Sequence, residues 1–200
     1  MARMKAEERR ERLLDAAETL MTREGVAAGT TRAIVAEADM QPSVFHYCFR
    51  SRDEMVSELI ARLGTRERQA VWEGVVPSTD LREILASAVD AYMSHLTGAP
   101  EQELVGFELN HWAIRAGHPD VAAQQYEAYF AVAGQVLELA AEVTGHTWSL
   151  PVKAMARMAI SIMDGVTTTW LADRDTEASR QVLAGLLDHV ASLAVPVSGA

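Results

Sequence analysis

Glu108 and His111 stand three residues apart in a stretch with helical periodicity, the Glu-x-x-His spacing that supplies half of a di-iron carboxylate site. The other half needs a second such pair and two further carboxylates. None of the other five histidines has a Glu three residues before it. Ser, His and Asp are present, but no serine sits in the strand-turn-helix context of a nucleophile elbow. Cys48 is the lone cysteine, so an intramolecular disulfide is excluded. A small buried side chain is the plainer role for it than a redox switch. The expectation is therefore no catalytic residue, no metal ligand, no cofactor and no enzyme activity.

A different spacing carries more. Thr30 is a good N-cap for a short helix through about Ala38 that buries Ile34 and Val35. Asp39 and Met40 form a turn, and Pro42 then sits at the first position of another short helix, about Gln41 to Cys48, burying Val44 and Phe45. Ser51 and Glu54 form a capping box for a further helix. Two short helices joined by a tight turn are a helix-turn-helix, which places side chains of the second helix in the DNA major groove. Arg52 falls at the first position of the next helix, where the dipole disfavours a cation. A DNA phosphate would account for it, and a surface salt bridge is the alternative.

The elements that must position this motif are all helical. With 49% hydrophobic and only 6% aromatic residues, the composition suits packed helices better than a sandwich. Leu13, Ala16, Ala17, Leu20 and Met21 make one apolar stripe on a first helix from about Ala6 to Glu24, closed by Gly25 in a left-handed conformation. After the motif, a long helix runs from Ser51 to about Gly74. Further helices are expected from Asp80 to about Leu96, Glu101 to Ala116, Pro119 to Val143, Leu150 to Ala172, and Thr176 to Leu193. Residues 145–149 read as a loop. Nine helices and no strand are the expectation. The last two helices carry apolar residues on more than one side, and a second copy of the pair would cover them as a four-helix dimer interface over about 150–193. A wholly intramolecular core is the alternative.

Charge is distributed unevenly. The net charge is −10, but residues 1–60 hold nine Lys and Arg against eleven Asp and Glu, so the acidic excess lies mostly beyond the motif. A DNA-facing surface must come from clustering: Arg3, Lys5, Arg9, Arg10 and Arg12, then Arg32, Arg50 and Arg52. No stretch approaches 18 uninterrupted apolar residues, and the N-terminus has no signal-peptide apolar core. The cytoplasm is the expected compartment.

Residues 13–20, then Glu24 and Gly25, Thr30 to Ile34, Phe45 to Phe49 and Ser51 to Glu54 reproduce, in order and spacing, a pattern that resembles the TetR family of bacterial transcriptional regulators. Phe107 to Arg115, His118, Pro119 and Tyr126 to Tyr129 resemble more loosely a C-terminal pattern of actinobacterial members. The resemblance implies an all-α fold with a helix-turn-helix domain over 1–50 and a ligand-binding and dimerisation domain over 51–200. It implies a homodimer on a palindromic double-stranded operator, released when a small molecule among the fourth to eighth helices shifts the fourth. On that reading Gln41, Ser43 and Val44, with Pro42, face the bases, Gln pairing with adenine and Val meeting a thymine methyl. Thr30 or Thr31, with His46, Tyr47 and Arg52, are the expected phosphate contacts, and Arg32 is a further DNA-binding candidate. Asp39 replaces a common Gly, Val35 a small Ala and Val44 a Thr, and His46-Tyr47 inverts the usual order. These departures bear on sequence preference more than on fold.

For the effector site, aromatic and Met walls with few polar groups suit an apolar or aromatic molecule. Tyr92, Met93, Phe107, Asn110, His111, Trp112, Tyr126, Tyr129, Phe130, Met163, Thr167 and Trp170 are the candidates, with Trp72 beside them. Asn110, His111 and Thr167 are the expected polar orienters, and the acidic balance favours a neutral or cationic ligand. A helical enzyme or an interaction protein without DNA remains the alternative class. The former lacks a paired catalytic constellation, and the latter leaves the capped motif without a use.

Overall fold

The apolar stripe from Leu13 to Met21 is buried on helix α1 (Ala6–Glu24) of a computed structural model that describes residues 5–197. Arg3, counted above in the basic cluster, lies outside the described residues. Gly25 closes α1, its N–H donating to the Met21 carbonyl. Its φ of 83° and ψ of 163° are not the left-handed helical geometry expected but the mirror of an extended strand, a region essentially limited to glycine. That conformation leads into a short 3₁₀ turn, Val26–Ala28, which the periodicity does not announce.

Helices α2 (Thr31–Glu37) and α3 (Pro42–Cys48) follow, then α4 (Arg52–Glu73), α5 (Leu81–Gly98), α6 (Pro100–Arg115), α7 (Pro119–Thr144), α8 (Val152–Asp173) and α9 (Thr176–Ser192). The nine expected helices are therefore present among the described residues. Their starts follow side-chain chemistry: the N–H of Glu83 donates to Asp80 and that of Ala178 to Asp175, each at an N-cap. Two short strands correct the expectation of none. Strand β1 (His146–Trp148) pairs antiparallel with β2 (Ala194–Pro196), in the register His146 to Pro196 and Trp148 to Ala194. Three residues are too few for a period-two pattern to register, and only tertiary proximity brings the two segments together.

The chain forms two compact units that do not follow the division at residue 50. The first comprises residues 1–64 and 101–125, the second 65–100 and 126–200. In the first, α1 to α3 share a core with the start of α4 and with α6: Leu13, Ile34, Phe45, Phe49, Met55, Leu59 and Leu109 are all essentially inaccessible. Complete burial of a side chain such as Phe45 contributes about 1.5–3 kcal/mol. In the second, α5, α7, α8 and α9 enclose Ile84, Met93, Leu96, Val136, Met155, Leu183 and Val190.

Candidate functional site

The helix-turn-helix is built from local chemistry in each part. The N–H of Ala33 donates to Thr30 Oγ1 at 3.2 Å, capping α2. Asp39 turns the chain with a φ of 52°, the left-handed position where short polar side chains are tolerated. Pro42 opens α3 at N1, and the Gln41 side chain makes no capping bond. Phe45 and Phe49 then anchor α3 in the first unit's core, which turns the opposite face outward. On that face Gln41, Pro42, Ser43, His46 and Tyr47 are exposed, Tyr47 at 68%. Val44 is only half-buried and packs against the core, so it is less available to a base edge than its neighbours, contrary to the simple expectation of either full burial or full exposure. Thr30 and Arg32 are exposed and Thr31 is half-exposed at the start of α2.

The arginines divide into two groups. Arg10 donates through Nε to Glu58 at 2.9 Å and reaches Glu54 at 3.4 Å and the Cys48 carbonyl, with its guanidinium over the Phe49 ring. Arg12 donates to the Ala38 carbonyl at 2.8 Å, and Arg23 pairs with Glu24 and Glu37. These three fasten α1 to α2, α3 and α4. Lys5, Arg9, Arg32 and Arg50, by contrast, have no ion pair among the described residues. The cluster expected from the sequence is therefore halved: part of it is internal scaffolding.

Arg52 corrects the sequence reading most directly. Its Nε donates to the Gly29 carbonyl at 2.6 Å and its Nη2 to the Val26 carbonyl at 2.9 Å, while the guanidinium stacks 5.2 Å from the centre of the Trp112 ring. Burial lowers its pKa. The cation at N1 is thus engaged by the loop before α2, whose carbonyls it satisfies, and it makes no salt bridge among the described residues. His118 Nε2 lies 3.2 Å from the neighbouring Asp53 carboxylate.

Paired clamps hold the first half of α4 to α1. Besides Arg10, Arg62 reaches Glu11, Asp15 and Glu18 of α1. Glu54 also accepts the Arg50 backbone N–H at 2.8 Å, which holds its carboxyl below the ordinary value, with Arg10 assisting. The capping box therefore reaches back one residue further than Ser51, whose hydroxyl accepts the Glu54 N–H at 3.1 Å. Burial pushes the Cys48 thiol up and keeps it protonated, which disfavours a thiolate switch.

A cavity of about 100 Å³ lies wholly within the second unit. Its walls come from the end of α4 (Glu67, Arg68, Val71), from α5 (Leu85, Val89, Tyr92), from α7 (Tyr129, Val136, Leu137), from α8 (Ala159, Ile160, Met163) and from α9 (Leu186, Val190). Of the expected ligand residues, Tyr92, Tyr129 and Met163 line it. Thr167 and Tyr92 share a hydrogen bond, and the Tyr92 hydroxyl also donates to the Met163 carbonyl at 3.0 Å. The other expected residues are placed elsewhere. Met93 lines a depression of about 160 Å³ with Arg82, Asp90 and Arg180, and Trp72 lines a pocket of about 450 Å³ with Val75 and Ile84. Trp170 donates to Thr176 at the end of α8. Tyr126 hydrogen-bonds Asp164, and burial raises its pKa; Phe130 lies under Arg157. Phe107, Asn110, His111 and Trp112 belong to the first unit, where Trp112 packs on the core and His111 bonds the Phe107 carbonyl. Glu108, the partner of His111 in the Glu-x-x-His, accepts the Val26 N–H at 3.1 Å. Sequence reasoning missed Glu67 and Arg68 because charged residues read as solvated. Their signal is position: Val71 follows them by four and three residues on the same helix face.

The outward side of α8 carries Ala154, Arg157, Ser161, Gly165, Thr168 and Ala172, and that of α9 carries Val182, Gly185 and His189. A Cβ added at Gly165 or Gly185 would meet nothing within 4 Å. The bulky apolar residues that suggested a second cover, such as Met155, Val166 and Trp170, are already buried within the chain, and Met158 and Ile162 are half-buried. What remains outward mixes small residues, Ala154, Ser161, Gly165 and Gly185, with Arg157, Val182 and His189.

Fold and site define a helical DNA-binding regulator whose second unit encloses a small apolar cavity. Residues 13–59 match the sequence profile of bacterial regulatory proteins of the tetR family. That match places a DNA-binding domain of the tetR type at residues 13–59. The chain is similar to the HTH-type nicotine-responsive transcriptional repressor HdnoR of Paenarthrobacter nicotinovorans, 28% identical over 93% of this chain and 95% of that one. Among solved structures it resembles a TetR-family regulator from Rhodococcus sp., with a TM-score of 0.76 and 22% identity over 92% of this chain and 98% of the other. A TetR regulator from Haloarcula marismortui superposes with a TM-score of 0.78 at 17% identity, covering 94% of this chain and all (100%) of that one. No helix among the described residues is long and apolar enough to cross a membrane.

Proposed function

We propose that the protein is a cytoplasmic repressor that binds a palindromic operator as a homodimer and releases it when a small apolar or aromatic molecule occupies the cavity of the second unit. The observation that carries this is α3: Phe45 and Phe49 lock it into the core, and Gln41, Ser43, His46 and Tyr47 are left outward and exposed. Residues 1–50 serve as the reading domain and 51–200 as the ligand and dimer domain. Gln41 and Ser43 address base edges, while Thr30, Thr31, Arg32, His46 and Tyr47 address phosphates. The outward faces of α8 and α9 form the dimer contact, so two copies of α3 enter successive major grooves about one helical turn apart.

Helix α4 is the coupling element. Its first turns are clamped to α1 by Arg10 and Arg62, and its last turns supply Glu67, Arg68 and Val71 to the cavity. A ligand acts by binding the DNA-incompetent conformation more tightly than the competent one, and DNA does the reverse. A nicotine-responsive repressor among its relatives supports a small organic effector. The test is a gel shift against the DNA upstream of the protein's own gene, repeated at several salt concentrations. A sequence-selective, salt-sensitive shift is expected; its absence overturns the reading.

A further inference from the structure

Arg68 stands out among the cavity walls. Its Nη2 donates to Thr65 Oγ1 at 3.0 Å and its guanidinium lies 5.8 Å from the centre of the Tyr129 ring, yet Nη1 is fully buried and has no hydrogen-bond acceptor. Arg68 has no carboxylate partner among the described residues. A buried N–H without an acceptor is rare and costly, and the arrangement is retained only where something else completes it. The other polar groups of the wall are already engaged. The Tyr129 hydroxyl donates to Glu67, and the Tyr92 hydroxyl is held by Met163 and Thr167. The remaining lining is Val, Leu, Ala, Ile and Met.

From this we infer, building on the ligand-responsive reading above, that the effector is a small neutral ring compound bearing one hydrogen-bond acceptor, a carbonyl oxygen or ring nitrogen, received by the Arg68 guanidinium as its side chain turns Nη1 toward the cavity. An acceptor is required because the one unsatisfied group is a donor. One acceptor suffices because no second polar group of the wall is open. Neutrality follows from the wall's charge: Glu67 and Arg68 are adjacent on α4 and of opposite sign, so an added carboxylate meets the like charge of Glu67 as well as Arg68. It also leaves its water behind. An added ammonium meets the reverse arrangement. The ring is small because the cavity holds only about 100 Å³, against the ~150 Å³ of an apolar cavity that binds benzene.

The test uses four probes of one shape on the full-length protein: cyclopentanone, methylenecyclopentane, cyclopentylammonium and cyclopentanecarboxylate, titrated by calorimetry and ligand-observed NMR. Cyclopentanone is expected to bind at least about tenfold more tightly than methylenecyclopentane, since the hydrocarbon leaves the donor unpaired. In Arg68→Met the two should bind within about threefold of each other, and continued binding of the hydrocarbon reports that the variant is folded. The wild-type ranking stands by itself if the variant does not fold. Equal or tighter binding of the hydrocarbon, a preference that survives in Arg68→Met, or strongest binding by the ammonium or the carboxylate would each overturn the proposal while leaving a ligand-binding cavity in place. Failure of all four to bind would overturn the proposal and the cavity's role as effector site together.

Discussion

Replacing Arg52 by Met should destabilise the first unit without removing a phosphate contact. The side chain makes two hydrogen bonds from a charged donor, to the Gly29 and Val26 carbonyls at 2.6 and 2.9 Å. Bonds of this kind are worth about 1.5–3 kcal/mol each when buried. Arg52 is partly exposed, and discounting for solvent screening leaves about 2–3 kcal/mol for the pair. Stacking on Trp112 adds about 0.5–1 kcal/mol. The expected loss is therefore about 2–4 kcal/mol, or about 5–15 °C in Tm for a chain of this size. Urea unfolding followed by tryptophan fluorescence measures it. Arg52→Lys should recover at most about half, because a single ammonium cannot span both carbonyls. Operator binding supplies the second readout. The slope of log affinity against log salt should be unchanged in the folded variant, whereas loss of a phosphate contact would make it shallower by about 0.9. Unchanged stability together with a shallower slope would refute the reasoning and return Arg52 to the DNA backbone.

Gln41→Ala is expected to relax operator selectivity at one base pair, by about 1–3 kcal/mol, while Arg32→Ala weakens all sequences alike; a binding-site selection on both variants separates the effects. Glu54, whose carboxyl is held below its ordinary value by the Arg50 N–H and by Arg10, contributes stability that is present above the ordinary carboxyl pKa of 4.5 and lost as pH falls through the depressed one. Wild-type Tm should accordingly fall more steeply than that of Glu54→Gln between about pH 5 and pH 3. A Cβ at Gly74 would stand 2.3 Å from the Ala91 Cβ, which has no rotamer by which to retreat. Gly74→Ala should cost about 1–3 kcal/mol, and a stabilised variant would show that α4 and α5 separate easily. Gly165→Arg, placed on the outward face of α8, should give a folded monomer by sedimentation with much weakened operator binding; an unchanged dimer would move the interface elsewhere.

Much of the reading half was legible before any tertiary structure. Thr30, Asp39, Pro42 and Ser51 act within a few residues of themselves, through a cap, a left-handed turn, an N1 proline and a capping box. Their chemistry is local, so their spacing carries it. The same holds for the helix boundaries at Asp80 and Asp175. The ligand half was legible only in kind. Tyr92, Tyr129 and Met163 do line the cavity, but Phe107, Asn110, His111 and Trp112 are drawn into the first unit with α6. An aromatic side chain looks the same in sequence whether it walls a pocket or fills a core, because both are apolar environments at helical spacing.

The sequence by itself determined an all-helical chain, the helix-turn-helix and which face of α3 turns outward, since these rest on periodicity and on hydrogen bonds between near neighbours. Only the tertiary structure decided which charges are scaffolding. Arg10, Arg52 and Arg62 find their partners 23 to 51 residues away in the chain, beyond the reach of any local pattern. The pairing of β1 with β2 and the placing of Arg68 at an apolar cavity have the same origin. Whether a charged side chain is solvated, paired or left buried with an open donor depends on what folding brings beside it.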